Sequence, residues 1–106
     1  MNLIAVGVNH TTADVELREQ LAFSAAQADD ALVALRELPG IREAALLSTC
    51  NRTELYVCPG GNERAKEAAE RVLSEKAGEV VGGTKQYLYH HEGEASVRHL
   101  CRVAGG

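Results

Sequence analysis

The chain opens on Leu3-Ile4-Ala5-Val6-Gly7-Val8, an apolar run closed by the polar Asn9-His10-Thr11-Thr12. This run constrains the fold more than any other stretch. A half-buried strand alternates apolar and polar residues, whereas an unbroken run of this length needs cover on both faces. The first strand is therefore expected at the centre of a sheet. Its cover follows in the sequence. Ser24 and Gln27 have the spacing of a capping box, and Ala28, Ala31, Leu32, Leu35 and Leu38 continue at helical spacing until Pro39-Gly40 ends the pattern. Val15 to Ala22 supplies one or two further helical turns before it.

Ala44 to Ser48 and Glu54 to Cys58 read as strands, the second with Leu55 and Val57 on one face and Tyr56 on the other. They flank Thr49-Cys50-Asn51-Arg52-Thr53, which places Cys50 in a strand-to-strand loop. Pro59-Gly60-Gly61-Asn62 then breaks the chain, with Asn62 as a helix cap, and Ala65, Ala68, Ala69, Val72, Leu73 and Ala77 make an amphipathic helix ending near Gly78. Gly82-Gly83 marks a turn, Gln86 to His90 a last strand, and Val97, Leu100, Cys101 and Ala104 the apolar stripe of a final helix. This order predicts an α+β fold, a ferredoxin-like split βαβ sandwich of the form β-α-β-β-α-β plus a C-terminal helix. A chain of 106 residues makes one domain, 1–106.

Eleven Lys and Arg against fifteen Asp and Glu give a net charge of −4, the wrong sign for a stand-alone nucleic-acid binder. The three cysteines at 50, 58 and 101 form an odd set without paired spacing, which suggests neither a disulfide framework nor a zinc site and fits a reducing, cytoplasmic setting. No apolar window is long enough for a membrane span, and the N-terminus does not read as a signal peptide. The glycine pairs do not spell a phosphate-cradling motif, so no dinucleotide site is expected within the chain.

Chemistry is expected at Cys50, because it sits among polar loop residues whereas Cys58 falls in a strand and Cys101 on an apolar helical stripe, as core cysteines do. Arg52, if folded back onto the thiol, would favour its reactive anion. His99 lies opposite the arc of Val97, Leu100, Cys101 and Ala104, so it is expected to point away from the core, either into solvent or into a cleft beside Cys50. His10 reads equally as a functional loop residue or as a hydrogen-bonding prop of its loop. His90 and His91 are adjacent and cannot share one strand face. The charged positions from Glu63 to Arg71, Glu70 included, read as a solvated helix face.

Leu47-Ser48-Thr49-Cys50-Asn51-Arg52-Thr53-Glu54-Leu55-Tyr56 resembles the S-T-C-N-R-x-E-x-Y signature of glutamyl-tRNA reductases around their catalytic cysteine. Gly7 to Ala13, with Arg18-Glu19 and Ala22-Phe23, and Gly93-Glu94-Ala95 leading to His99 through Ala104, match the same family. The chain departs from it at Asp14, often Pro, at Cys101, commonly Phe, and at Gly105, frequently Ser.

The resemblance implies an N-terminal catalytic domain in which Cys50 attacks the ester of glutamyl-tRNA to form a thioester. In the full enzyme NADPH, bound outside residues 1–106, then reduces the thioester to glutamate-1-semialdehyde for tetrapyrrole (heme) biosynthesis. It implies that Thr49, Cys50, Asn51 and Arg52 bind the glutamyl group, with Arg52 on its carboxylate, and that His99 is the activity-important histidine. It implies further domains for cofactor binding and homodimerisation, and the downstream glutamate-1-semialdehyde aminomutase as a possible partner. The competing reading is a ferredoxin-like regulatory or RNA-contacting module with structural cysteines.

Overall fold

The computed structural model describes residues 2–60, 64–78 and 87–105. Elements run in the order β1 (Ile4–Asn9), α1 (Val15–Gln20), α2 (Ala25–Arg36), β2 (Ile41–Ser48), β3 (Arg52–Pro59), α3 (Ala65–Ala77), β4 (Tyr89–Glu92) and α4 (Glu94–Ala104). The strands form one antiparallel sheet in the order β2-β3-β1-β4. This is the α+β, ferredoxin-like arrangement that the element order predicted, with α1 inserted ahead of α2. The expected cap at Asn62, the turn at Gly82-Gly83 and Gln86 lie outside the described residues, and the last strand, expected over Gln86 to His90, runs instead from Tyr89 to Glu92.

Local chemistry sets the helix starts. The Asp14 carboxylate accepts from the Leu17 amide at 2.9 Å and caps α1. Ser24 and Gln27 form the expected reciprocal capping box on α2. Gly93 precedes α4 with φ +60°, a left-handed conformation that glycine adopts without steric cost, and its amide donates to the Leu3 carbonyl at 2.8 Å. That bond ties the start of α4 to the beginning of β1.

Strand alternation gives the sheet two unlike faces. Val6, Val8, Leu55 and Val57 pack with Leu17, Leu21, Leu35, Ala69 and Leu73 in one aliphatic core beneath α1, α2 and α3. Full burial of Leu21, Leu35, Leu55 and Leu73 contributes about 1.5–3 kcal/mol each. His90 belongs to this face through its register with Val6, and its Nε2 lies 3.2 Å from Glu70 of α3. Glu70 is therefore buried rather than solvated, because a histidine across the interface gives its carboxylate a partner.

The opposite face carries Ala5, Gly7, Glu54, Tyr56, Tyr89 and His91. Gly7 is directly opposite both Glu54 and Tyr89, and Ala5 is opposite both Tyr56 and His91. Small residues on the central strand thus leave a trough between the larger polar side chains of its two neighbours. Helix α4 covers this face beside β4, so β1 is enclosed on both sides as its apolar run required. Among the described residues no helix is long and apolar enough to cross a membrane.

The final helix is turned over relative to expectation. Ser96 is fully buried and His99 faces the sheet, whereas Cys101 and Ala104 are exposed and Leu100 is 38% exposed. Cys101 is therefore not a core residue, and Cys58 is only half-buried. The physical reason is the sheet face itself. A floor of Glu54, Tyr56, Tyr89 and His91 needs hydrogen-bonding partners more than apolar contact, and the polar side of α4 supplies them.

Candidate active site

Strands β2 and β3 end in a very tight hairpin. The Thr49 amide donates to the Arg52 carbonyl at 2.8 Å, so only Cys50 and Asn51 form the tip. The Thr49 hydroxyl accepts from the amides of both Asn51 and Arg52, at 3.2 Å each, replacing the main-chain acceptor a regular hairpin would use. Arg18 of α1 donates from Nη1 to the Cys50 carbonyl at 3.0 Å. At the hairpin base, Thr53 donates to the Leu21 carbonyl at 3.1 Å, and Ser48 Oγ accepts from the Phe23 amide at 3.0 Å. The Cys50 side chain is thus exposed on a tip whose backbone is held from both sides.

Below the tip, alternate residues of β3 descend into the polar trough. Arg52 Nη1 lies 3.7 Å from Glu54 Oε2. Glu54 is 0% exposed, accepts from the Tyr56 hydroxyl at 2.7 Å and from the Tyr89 hydroxyl, and is hydrogen-bonded to His99 Nε2. His91 stacks on His99 with ring centroids 4.3 Å apart, and Tyr89 meets the His99 ring edge-on at 5.5 Å. Ser96 donates to the His91 carbonyl and fixes α4 over this group. Although Glu54, His91 and His99 lie together, among the described residues no group of three His, Cys, Asp or Glu side chains is arranged to hold a metal ion.

The trough perturbs its ionisable groups in opposite senses. Burial alone would raise the Glu54 carboxyl, but hydrogen bonds from Tyr89, His99 and Tyr56, with the charge of His99, outweigh it and hold the group below its ordinary 4.5. Burial, then the bond to the Glu54 carboxylate, pushes both Tyr56 and Tyr89 above the ordinary phenol value. Both phenols stay neutral donors at neutral pH. His91 is depressed below its ordinary 6.5, first by burial and then by the charge of His99, against an opposing pull from Glu54.

These shifts set a pH dependence of stability. Between the folded value of His91 and 6.5 the unfolded chain binds more protons, so stability falls as the pH is lowered through that window. Glu54 stabilises the folded state above 4.5, and this contribution is lost as the pH falls through its depressed folded value. Urea unfolding from pH 7.5 to 3 should show both declines. His91→Gln should flatten the upper one and leave the lower; an unchanged upper decline would mean that His91 is not its source.

Of the residues singled out in the sequence, Thr49, Cys50, Asn51 and Arg52 come together at the hairpin tip. His99 does not join Cys50 by any hydrogen bond among the described residues, but it shares the Glu54 carboxylate with Arg52. His10 is exposed, and its loop is held instead by Asn9 Oδ1, which accepts from the Thr11 amide at 2.9 Å, and by Thr12 Oγ1, which accepts from the Asn9 amide at 3.0 Å. The matched family blocks contain Glu54 and Arg18 without giving either a role, and Tyr89 is not singled out. Alternation along β3 offered a signal for Glu54, since it put polar residues on the second face of a strand next to a fully covered one. Nothing local marks Arg18, whose partner is 32 residues away.

Residues 6–106 match the family model described as the glutamyl-tRNAGlu reductase N-terminal domain. Over its whole length the chain is 59% identical to a glutamyl-tRNA reductase of Alcanivorax borkumensis and 47% identical to one of Stenotrophomonas maltophilia. It spans 25% of the first of these relatives and 23% of the second. A solved glutamyl-tRNA reductase from Methanopyrus kandleri superimposes with a TM-score of 0.68 at 33% identity, over 98% of this chain and 22% of that one. With the family model matching all but the first five residues and relatives this similar along the whole chain, the chain belongs to the glutamyl-tRNA reductase family, as its N-terminal domain.

Proposed function

We propose that this chain is the acyl-capturing domain of a glutamyl-tRNA reductase. The observation that carries the reading is the exposed Cys50 thiol on a hairpin tip fastened by Thr49 and Arg18. The Cys50 sulfur attacks the carbonyl carbon of the glutamyl ester. The carbon–sulfur bond forms, the bond to the ribose oxygen of the transfer RNA breaks, and that oxygen leaves as the hydroxyl after taking up the proton given up by the thiol. The thioester donates less electron density into its carbonyl than an ester does, which prepares the acyl group for reduction. A structural role for Cys50 has little support at an exposed tip.

Arg52 is suited to the glutamyl carboxylate through its planar fork, with Thr49 and Asn51 beside it. The described strands pair antiparallel, unlike the parallel sheet of a dinucleotide-binding fold, and the sequence spells no phosphate-cradling glycine motif. We assign NADPH to the remainder of a full-length reductase on that ground, and propose homodimerisation and any hand-over of glutamate-1-semialdehyde to the aminomutase for the same remainder on the family resemblance alone.

Arg52→Lys tests the carboxylate contact. An ammonium keeps the charge but not the fork, so the protein-bound label formed from radiolabelled glutamyl-tRNA should appear at least ~10-fold more slowly at limiting substrate. Unaltered capture would remove Arg52 from substrate binding.

A further inference from the structure

We propose that Glu54 is a positioning residue: its carboxylate holds His99 with the proton on Nε2, leaving Nδ1 as the ring nitrogen open to substrate, and it anchors Arg52 at the same time. The inference rests on the acyl-transfer reading and says how two of its residues are kept in place.

Glu54 is fully buried, and among the described residues its oxygens are met by the Tyr56 and Tyr89 hydroxyls, the Arg52 guanidinium and His99 Nε2. A carboxylate in such company accepts hydrogen bonds and does not donate them, so the nitrogen of His99 that meets it must carry the proton. The ring has little freedom to turn away. His91 lies flat against one face, Tyr89 closes an edge, and the His99 side chain is 13% exposed. Among the described residues no hydrogen-bond partner occupies Nδ1.

The carboxylate is itself confined. A Cβ at Gly7 would lie 2.8 Å from Glu54 Cγ, so the side chain rests against the glycine backbone in the trough. Arg52 meets the same Oε2 atom that His99 does. A shift of Glu54 would therefore release both the guanidinium beneath the hairpin tip and the histidine on α4. Local strand spacing separates Glu54 from Cys50, which makes its role indirect.

Nitrogen-15 spectra of histidine-labelled chain, with the His99 signals assigned by their loss in His99→Gln, report the tautomer directly. At alkaline pH, where the ring is uncharged, the expected result is a proton on Nε2 in the wild type and a mixture of tautomers in Glu54→Gln. A proton on Nδ1 in the wild type would overturn the proposal, and this reading does not need Glu54→Gln to fold. In the full-length reductase, Glu54→Gln and His99→Gln should each lower kcat by roughly 10²-fold or more and alter the pH–rate profile. The double variant should lose little beyond either single one, because both changes break one unit. Losses that multiply, with an unaltered pH profile, would make Glu54 merely structural. Failure of the acyl-transfer reading itself shows elsewhere, as turnover retained by Cys50→Ser.

Discussion

Full-length reductase carrying Cys50→Ser is expected to lose turnover of glutamyl-tRNA by on the order of 10⁴-fold while keeping its stability. The size follows if the proposed nucleophile is removed and every later step depends on it, since a hydroxyl at neutral pH has almost none of the anionic character that makes a thiol reactive. The unaltered stability follows from position. Cys50 is exposed, and what holds its loop is the Thr49 hydroxyl and the contact of Arg18 with the Cys50 backbone carbonyl, neither of which uses the sulfur. Unfolding free energy should therefore change by no more than about 0.5 kcal/mol. Steady-state kinetics and urea denaturation on the same preparation check both halves. A variant that is unstable as well as inactive would mean that the thiol is part of the packing.

Gly7→Ala should have the opposite signature, a large loss of stability far from the thiol. A Cβ built at Gly7 falls 2.5 Å from the Thr53 carbonyl oxygen and 2.8 Å from Glu54 Cγ. The first of these neighbours is backbone of the adjacent strand and cannot rotate away, so β1 and β3 must separate or Glu54 must leave its place. Overpacking of this kind costs about 2–3 kcal/mol. For a domain of this size the thermal midpoint should fall by roughly 10–20 °C. A midpoint within a few degrees of wild type would show that the sheet opens easily at Gly7 and that the trough is less confined than its geometry indicates.

Much of the fold was legible because its signals are local. The Ser24 and Gln27 capping box, the aliphatic stripe of α3 and the alternation of Leu55, Tyr56 and Val57 each depend on a few neighbouring residues, and each lies in the expected element, with β3 extending two residues further toward the tip, to Arg52. Strand β2 begins earlier than its apolar run, at Ile41, because the register slips between Ile41 and Glu43 and the charged residues there point outward. The orientation of α4 was not legible for a different reason. Its apolar stripe of Val97, Leu100, Cys101 and Ala104 is a sound rule for a helix on an apolar sheet, but the sheet beneath it presents Glu54, Tyr89 and His91, and the competition between the two helix faces is decided by hydrogen bonding across strands distant in sequence.

The candidate site divides in the same way. The hairpin tip with Thr49, Cys50, Asn51 and Arg52 is a contiguous stretch and could be read directly. The Glu54 cluster joins residues up to 45 positions apart, and only the pairing of Gly7 with both Glu54 and Tyr89 brings them together. The family resemblance pointed to His99 without saying what held it.

The central claim is that the Cys50 sulfur takes the glutamyl group from its transfer RNA. Its most direct test is mass spectrometry of the 106-residue chain and of the full-length reductase, each mixed with glutamyl-tRNA without NADPH, quenched in acid and digested. The account predicts a glutamyl adduct on the peptide containing Cys50, absent in Cys50→Ser and removed by hydroxylamine as a thioester should be. A full-length reductase that reduces glutamyl-tRNA when NADPH is added, yet never carries glutamate on Cys50 without it, would contradict the account.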